Sequence, residues 1–356
     1  MLFDKNPTTE TKEIAQIFNS TVSTYKYYWF VSILDIVVKE QRRQMSFWEV
    51  IAGMVAEAWY PIHYFRLSFG KSDSFYTQII EIQQELKIPI DAKKEIIKNR
   101  IIENIHLPKI KSILNVFKAN VPYRFLSPWI KYSTDKQVSY LSQSYTNNCL
   151  YLIKDNTIEI NPLWIHYINV NYLILKDYAY WNLAEFIQKR NPNVPDITSK
   201  LVKPITRNAL TNQRKFWNTY IEIKGPMPCI YSHKLLEKKT FDLDHFIPWS
   251  YITTDLLWNI IPANHEANIS KSDNLPILKN LLPQFARQHQ LALKEIYAIN
   301  HNNTILEDYL TIYDSVPELI HLSENDFLNV FQKTFSPMVQ IAENMGFKYW
   351  QNKFQL

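Results

Sequence analysis

One short stretch of the sequence combines the residue types needed to hydrolyse a phosphodiester bond. That reaction needs a base that activates water, a cation that stabilises charge on the phosphorus centre and the leaving oxygen, and a group that holds the phosphate. His245 can be the base, because an imidazole with an ordinary pKa of ~6.5 is largely neutral at pH 7. The preceding residue, Asp244, is a hard oxygen ligand suited to Mg²⁺.

The same stretch continues to Asn268 and Lys271. Asn268 offers a second, neutral oxygen ligand on what we expect to be a short helix. Lys271 follows three residues later, so it falls on the same helix face and could meet phosphate. Asp242 shares a strand face with Asp244 by alternation, and we expect a supporting role for it, with metal ligation as the open alternative. His265 is an alternative ligand, although a solvated helix face is the simpler interpretation.

The segment 227–276 resembles the HNH endonucleases, whose fold is the ββα-metal finger. The resemblance rests on several spaced identities and covers about 50 residues. Its last six positions are particularly similar to the HNH module of RNA-guided CRISPR nucleases. The positions that carry the resemblance are Asp244, His245, Ile247, Pro248, Asn259, Asn268 and the run Lys271-Ser272-Asp273-Asn274-Leu275-Pro276.

The resemblance implies a role for each of these positions. His245 would be the general base, and Asn259 would brace the loop that keeps it oriented. Asp244 and Asn268 would ligate one Mg²⁺ (or Mn²⁺). We therefore assign His245, Asn259 and Lys271 to catalysis and Asp244 and Asn268 to the metal. The family hydrolyses DNA and leaves a 3′-hydroxyl and a 5′-phosphate.

The sequence departs from the family at the zinc knuckle that many members carry. Cys229 is present, but Ser232, Asn264 and Ala267 stand where the other thiols would fall. A four-ligand structural zinc site is therefore not expected. The hairpin that follows Cys229 must then be held by apolar packing. The candidates for that packing are Ile230, Tyr231, Leu235 and Phe241.

Basic residues are concentrated around this segment. Between Ser199 and Thr240 there are nine Lys or Arg and two Glu. Such a region favours a polyanionic partner, with an affinity that falls as salt rises. A second basic cluster, from Lys93 to Arg124, is interpreted as a solvated helix face, with a DNA groove as the alternative. The candidates for phosphate contact are Arg207, Arg214, Lys215, Lys234, Lys238 and Lys239.

The amino-acid composition limits the classes of protein to which the chain can belong. Of the 356 residues, 46% are hydrophobic and 21% are charged, which is typical of a globular chain. The net charge of +5 is compatible with a polyanionic partner. The four glycines do not cluster, which excludes a glycine-rich phosphate-binding loop. The apolar run from Tyr27 to Val38 is too short for a bilayer. With two cysteines and no signal-peptide pattern, we expect a cytoplasmic location without a membrane partner.

The periodicity predicts a mainly α protein with a small ββα-metal (HNH) α+β module. We expect a helical N-terminal region (1–135), a middle region with a short hairpin and an aromatic-rich helix (136–205), the HNH module (206–280) and a helical C-terminal region (281–356). Specific predictions follow from the periodicity and the turn residues. They are helices at 74–87, 92–106 and 109–119, a capping box at 46–49 that begins a helix reaching about 59, strands at 150–153 and 157–160, and one helix from 162 to about 190.

These features favour a metal-dependent DNA endonuclease, and family association suggests a bacterial restriction or phage-defence effector. Two alternatives stay open. One is a catalytically silent DNA-binding or regulatory protein. The other is a nuclease that is activated when a protein or RNA partner docks on residues 1–200. One HNH centre cuts one strand per event, so a double-strand break would need a homodimer or two encounters.

Overall fold

Helices make up most of the chain, and its strands are few and short. The computed structural model describes residues 11–131, 134–202 and 209–354. They form two compact units: the first takes in the described residues up to 192 together with 197–202, and the second takes in 193–196 and 209–354. The expectation of a mainly α protein with a small α+β module is confirmed. The four-region division stays a prediction, and its boundary at 205/206 lies outside the described residues.

The first unit is a helical assembly with one small sheet. Two of its long helices, at 25–39 and 47–63, pack against each other and are buried along most of their length. Its elements are a 3₁₀ turn (Ile14–Gln16), α1 (Tyr25–Lys39), β1 (Gln44–Ser46), α2 (Phe47–His63), α3 (Phe75–Leu86), α4 (Lys94–Glu103), α5 (Pro108–Lys118), α6 (Val121–Arg124), α7 (Asp135–Ser142), a 3₁₀ turn (Thr146–Asn148), β2 (Tyr151–Lys154), β3 (Thr157–Ile160), α8 (Pro162–Val170), α9 (Tyr172–Gln188) and α10 (Ile197–Lys200).

The start of α2 is the predicted capping box. The Ser46 hydroxyl accepts a hydrogen bond from the Glu49 amide at 3.2 Å, and the Glu49 carboxylate accepts one from the Ser46 amide at 2.7 Å. The helix does not stop near Trp59 as expected, because it continues through Pro61 to His63. A proline in the last turn removes one backbone hydrogen bond, and the helix ends two residues later. The three helices predicted between 74 and 119 are confirmed as α3, α4 and α5.

The middle of the chain contains the predicted hairpin and a broken helix. β2 and β3 pair antiparallel with Tyr151 opposite Ile160, and β1 pairs with the other edge of β3. The single helix expected from 162 to about 190 is wrong, since α8 and α9 are separated at Asn171. The side-chain amide of Asn171 donates a hydrogen bond to the Tyr167 carbonyl at 3.0 Å. The helix is interrupted there because the backbone of Asn171 is not helical, with φ of −103° and ψ of 16°.

The second unit combines short strands with long helices. In the part of the chain that the structure describes, every helix of either unit is too short or too polar to cross a bilayer. The elements of the second unit are α11 (Thr211–Lys224), β4 (Met227–Pro228), β5 (Leu235–Leu236), β6 (Asp242–His245), α12 (Trp249–Ile252), a 3₁₀ turn (Leu257–Asn259), β7 (Ile260–Ala263), α13 (His265–Lys271), α14 (Leu278–Ile299), a 3₁₀ helix (Thr304–Thr311), α15 (Val316–His321) and α16 (Glu324–Asn344).

An aromatic cluster joins the end of β6 to the long C-terminal helices. The ring of Phe246, the residue after β6, stacks on Phe285 of α14 with centroids 4.1 Å apart. It also meets Phe335 of α16 edge-on at 5.2 Å. All three side chains are fully buried. The backbone that carries residues 244 and 245 therefore continues directly into the core of the second unit.

His289 of α14 lies fully buried within the same cluster. Its Nδ1 is 2.7 Å from the Tyr309 hydroxyl, and the rings of Trp217, Phe285 and Phe331 surround it. Burial lowers the pKa of His289 to about 3. The imidazole therefore stays neutral in the fold at pH values at which an unfolded chain protonates it.

This buried imidazole predicts a loss of stability on acidification. Because its folded pKa lies below the ordinary 6.5, the unfolded state binds the extra proton as pH falls below 6.5. The free energy of unfolding should drop by up to about 1.4 kcal/mol per pH unit. Urea unfolding followed by tryptophan fluorescence at pH 7 and 4.5 should show a smaller drop in His289→Gln than in the wild type. The matched control is His233→Gln, at an exposed turn position. Equal drops in all three proteins would contradict the prediction.

Candidate active site

The candidate site is built on a two-stranded sheet and one short helix. β6 and β7 pair antiparallel, with Asp244 opposite Ile261 and His245 opposite Ile260. β7 leads directly into α13, which packs against β6. Side chains alternate along a strand, so Asp242 and Asp244 share the face of β6 that meets α13. The segment therefore forms a β–β–α unit that brings distant residues together.

Two side chains of α13 contact the same carboxylate oxygen of Asp242. His265 Nδ1 lies 2.8 Å from Asp242 Oδ2, and Asn268 Nδ2 donates to the same oxygen at 3.1 Å. Partial burial of Asp242 opposes its ionisation, but hydrogen bonds from Asn268 and His265 and the charge of Arg214 lower the pKa of this carboxyl overall. Asp242 is thus a partly exposed carboxylate at neutral pH.

Asp244 is enclosed instead of exposed. It is 6% accessible and its Oδ2 accepts a hydrogen bond from the Tyr231 hydroxyl at 2.5 Å. Lys271 Nζ lies 2.9 Å from Oδ2 and 3.2 Å from Oδ1. Burial, followed by the charge of Asp244, raises the pKa of Tyr231 well above its ordinary value, so Tyr231 stays a donor.

The predicted phosphate contact requires the Lys271 side chain to extend toward solvent. In the structure it does not. The side chain has no accessible surface, and its ammonium also donates to the His245 carbonyl at 2.7 Å. Lys271 is buried because the helix face that it shares with Asn268 packs against β6 and does not face solvent. Lys271 therefore ties α13 to the end of β6.

His245 faces a carboxylate that sequence reasoning missed. Its Nε2 lies 2.9 Å from Asp255 Oδ1, and the side chains are 13% and 26% exposed. Asp255 lies between α12 and the 3₁₀ turn at 257–259, in irregular chain with no periodicity that would predict its direction. The short helix after Pro248 reverses the chain and returns it to His245. No spacing pattern in the sequence predicts this return.

Asn259 clamps the backbone that follows His245. This side chain is completely buried; its Oδ1 accepts from the Ile247 amide at 2.8 Å, and its Nδ2 donates to the Ile247 carbonyl at 3.0 Å. Its own carbonyl accepts from the Phe246 amide at 2.8 Å. Asn259 therefore holds two consecutive residues beyond the imidazole.

The predicted metal ligands, Asp244 and Asn268, each hydrogen-bond to another partner in the structure. Within the described residues, no hydrogen bond joins the side chains of Asp244, His245 and Asn268 to one another. Asn268 contacts Asp242 instead. In the same ranges, no group of three or more His, Cys, Asp or Glu side chains is arranged to hold a metal ion.

Apolar packing surrounds the buried Cys229. The thiol accepts a hydrogen bond from the Asn264 amide at 3.3 Å. Ile230, Tyr231 and Phe241 are buried as expected, but Leu235 is 69% exposed and its neighbour Leu236 is buried. The assignment of Leu235 to the core is therefore wrong, since adjacent strand residues point to opposite faces and a one-residue offset exchanges them.

The basic side chains near the module differ in how they are held. Arg214 donates to the Phe241 carbonyl at 2.9 Å, next to Asp242. Lys234 pairs with Glu266 and Lys238 with Glu222, at 2.8 and 2.6 Å. Arg207 lies outside the described residues. Lys215 and Lys239 are exposed, and neither forms an ion pair within the described ranges.

Three side chains of the second basic cluster form ion pairs within the first unit. Lys94 pairs with Glu57 and Lys98 pairs with Glu40. Lys109 lies 2.7 Å from Glu85. The interpretation of this cluster as a solvated helix face stays a prediction.

Comparison with known proteins bears directly on this segment. Residues 229–277 match the model of the HNH endonuclease family. The match contains β6, β7 and α13 and the whole site described above. No curated protein and no solved structure matches the chain.

The enclosed pair of Lys271 and Asp244 predicts an asymmetric effect on stability. Lys271→Met leaves a buried carboxylate without its cation and should lower the free energy of unfolding by about 3–5 kcal/mol. Adding Asp244→Asn removes the uncompensated charge and should recover most of that loss. Urea unfolding at pH 7 measures both, with Lys279→Met at an exposed position of α14 as the control. A double variant no more stable than Lys271→Met would contradict this account of the pair.

Proposed function

We propose that the HNH endonuclease module at 229–277 makes this protein a metal-dependent DNA endonuclease. The single observation that carries the proposal is the meeting of β6 with α13, where His245 ends the strand and oxygen donors flank it. A base and hard oxygen ligands beside one another are what phosphodiester hydrolysis requires. The products would be a 3′-hydroxyl and a 5′-phosphate.

His245 is the general base of this proposal. Its Nε2 is engaged by Asp255 at 2.9 Å. Its Nδ1 has no hydrogen-bond partner within the described residues and is not among their buried unpaired atoms. Nδ1 is therefore not fully enclosed, and it is the ring nitrogen left to take a proton from water.

The donors beside β6 fit an oxygen-preferring cation. Asp242 is ionised and partly exposed, and the Asn268 amide that already contacts it can offer its oxygen. Asp244, predicted as a ligand with Asn268, can join them only if Lys271 gives up its contact with that carboxylate. A bound Mg²⁺ (or Mn²⁺) would stabilise charge on the phosphorus centre and the leaving oxygen.

Asn259 and Lys271 are assigned to positioning. Asn259 holds the backbone after His245 through its two bonds to Ile247. Lys271 holds the backbone of His245 itself through its carbonyl. Neither side chain has accessible surface for a substrate, so both act through His245 and its strand.

The basic residues around α11 are the proposed DNA contacts. Arg214 lies beside Asp242 and can reach a phosphate near the site. Lys215 and Lys239 are exposed, while Lys234 and Lys238 would exchange surface carboxylates for phosphates. Arg207 stays in the proposal from its sequence position alone. A restriction or phage-defence role in the cytoplasm, with a homodimer or a protein or RNA partner, rests on family association.

Plasmid nicking tests the central proposal. Wild-type protein with Mg²⁺ should convert supercoiled plasmid to the nicked form. His245→Ala should lower the rate by at least 100-fold, since a positioned base contributes roughly 10²–10⁴-fold, while its DNA affinity at fixed salt stays within about twofold. His233→Ala is the control, as this exposed histidine lies in the hairpin turn. Plasmid binding without cleavage by the wild type, across Mg²⁺ and Mn²⁺, would instead favour the catalytically silent DNA-binding protein.

Magnesium titration of the nicking rate distinguishes the candidate ligands. Asn268→Ala should raise the Mg²⁺ concentration at half-maximal rate by roughly 10-fold or more, because an oxygen ligand is lost. Asp242→Asn and Asp244→Asn are compared in the same titration. A larger shift for Asp242→Asn indicates that the exposed carboxylate is the ligand, and a larger shift for Asp244→Asn indicates that Lys271 releases it. If all three variants titrate like the wild type, the cation lies elsewhere.

A further inference from the structure

We infer that Asp255 is a positioning residue that fixes which ring nitrogen of His245 carries the proton. The inference rests on the proposed nuclease function and deepens it. An ionised carboxylate only accepts hydrogen bonds. The contact between His245 Nε2 and Asp255 Oδ1 at 2.9 Å therefore keeps the neutral ring protonated on Nε2. The lone pair is left on Nδ1, the nitrogen that has no hydrogen-bond partner within the described residues.

The backbone of the loop that carries Asp255 is held in place from several directions. Gln213 of α11 donates to the Asp255 carbonyl at 2.6 Å. Two residues later, the Leu257 amide donates to Asp308 at 2.7 Å. Thr253 begins the loop in the left-handed conformation, with φ of +59°. The loop is therefore anchored to α11 and to the 3₁₀ helix at 304–311, and does not rely on the imidazole for its shape.

The loop of Asp255 and the strand of His245 are also joined to each other. Asn259 follows the loop, and its backbone and side chain bind Phe246 and Ile247 on the strand side. The two segments thus meet at the imidazole and again one or two residues beyond it. This double attachment limits how far His245 and Asp255 can separate.

The pairing is specific on both sides. Within the described residues, Asp255 has no other ion-pair partner and His245 has no other side-chain hydrogen bond. Both groups are mostly shielded from water, so their orientation is less averaged than that of a surface pair. The contact acts on the base and not on DNA or the cation.

Imidazole ¹⁵N NMR tests the positioning directly on DNA-free protein. The chain has nine histidines, so the His245 signals are assigned by their loss in His245→Gln. Wild type should show a single Nε2-protonated tautomer for His245. Asp255→Ala should shift it toward the tautomer mixture of a free imidazole, and Asp255→Glu should restore part of the preference. Asp314→Asn, at an exposed position, should leave it unchanged.

Cleavage kinetics provide the second measurement. Asp255→Ala should lower kcat about 10- to 100-fold, a part of what a positioned base contributes, with KM for DNA and the Mg²⁺ requirement within about twofold. Asp255→Asn, which keeps the shape and loses the charge, covers the case in which Asp255→Ala fails to fold. Asp255→Glu should recover part of kcat.

The outcomes separate the inference from the proposed function. An unchanged His245 tautomer in the Asp255 variants overturns the inference, and so does a changed tautomer with unchanged kcat. A loss of kcat accompanied by an equal loss of DNA affinity would also overturn it, because it would indicate a structural role for the loop. If the wild type does not cut DNA, the proposed function fails, while the tautomer measurement still decides whether Asp255 positions the imidazole.

Discussion

The buried contact between Lys271 and Asp244 is the constraint on which the rest of the module depends. A carboxylate and an ammonium removed from water are costly unless each is paired and hydrogen-bonded. Here Tyr231 and the His245 carbonyl complete the set. Because one partner lies on β6 and the other on α13, satisfying these charges requires the strand and the helix to pack in one register. The convergence of residues from distant parts of the module follows from that requirement.

A protein that holds its finger this way has less need of a structural metal. Zinc supplies folding free energy by joining elements that are too small to form a core. In this chain the same elements are joined by the Lys271–Asp244 pair, by Asn259 and by Phe246, whose ring is buried among the C-terminal helices. Cys229 is buried and accepts a backbone hydrogen bond. The long helices of the second unit therefore hold the β–β–α unit through apolar packing.

Local signals allowed most of the scaffold to be predicted from the sequence. The alternation that ends at His245 and the short helix around Asn268 were expected, because the spacing of strand and helix residues is a local property. What could not be predicted depends on tertiary contacts. Lys271 was expected to face phosphate because it shares a helix face with Asn268, but the packing of that face on β6 decides where the ammonium goes. Asp255 had no local signal, since an irregular turn brings it to the imidazole.

The two contacts that the sequence does not predict both restrain His245. Lys271 binds the carbonyl of His245, and Asp255 binds its side chain. The first contact fixes where the backbone of the base lies, and the second fixes the rotation of the ring. In the proposed reaction, a base restrained in both respects would lose little entropy when a water molecule and a phosphate arrive, and such preorganisation would lower the barrier to proton transfer. The donors around Asp242 are held less tightly, which would suit the proposed cation site, because a hydrated cation has to enter and leave it.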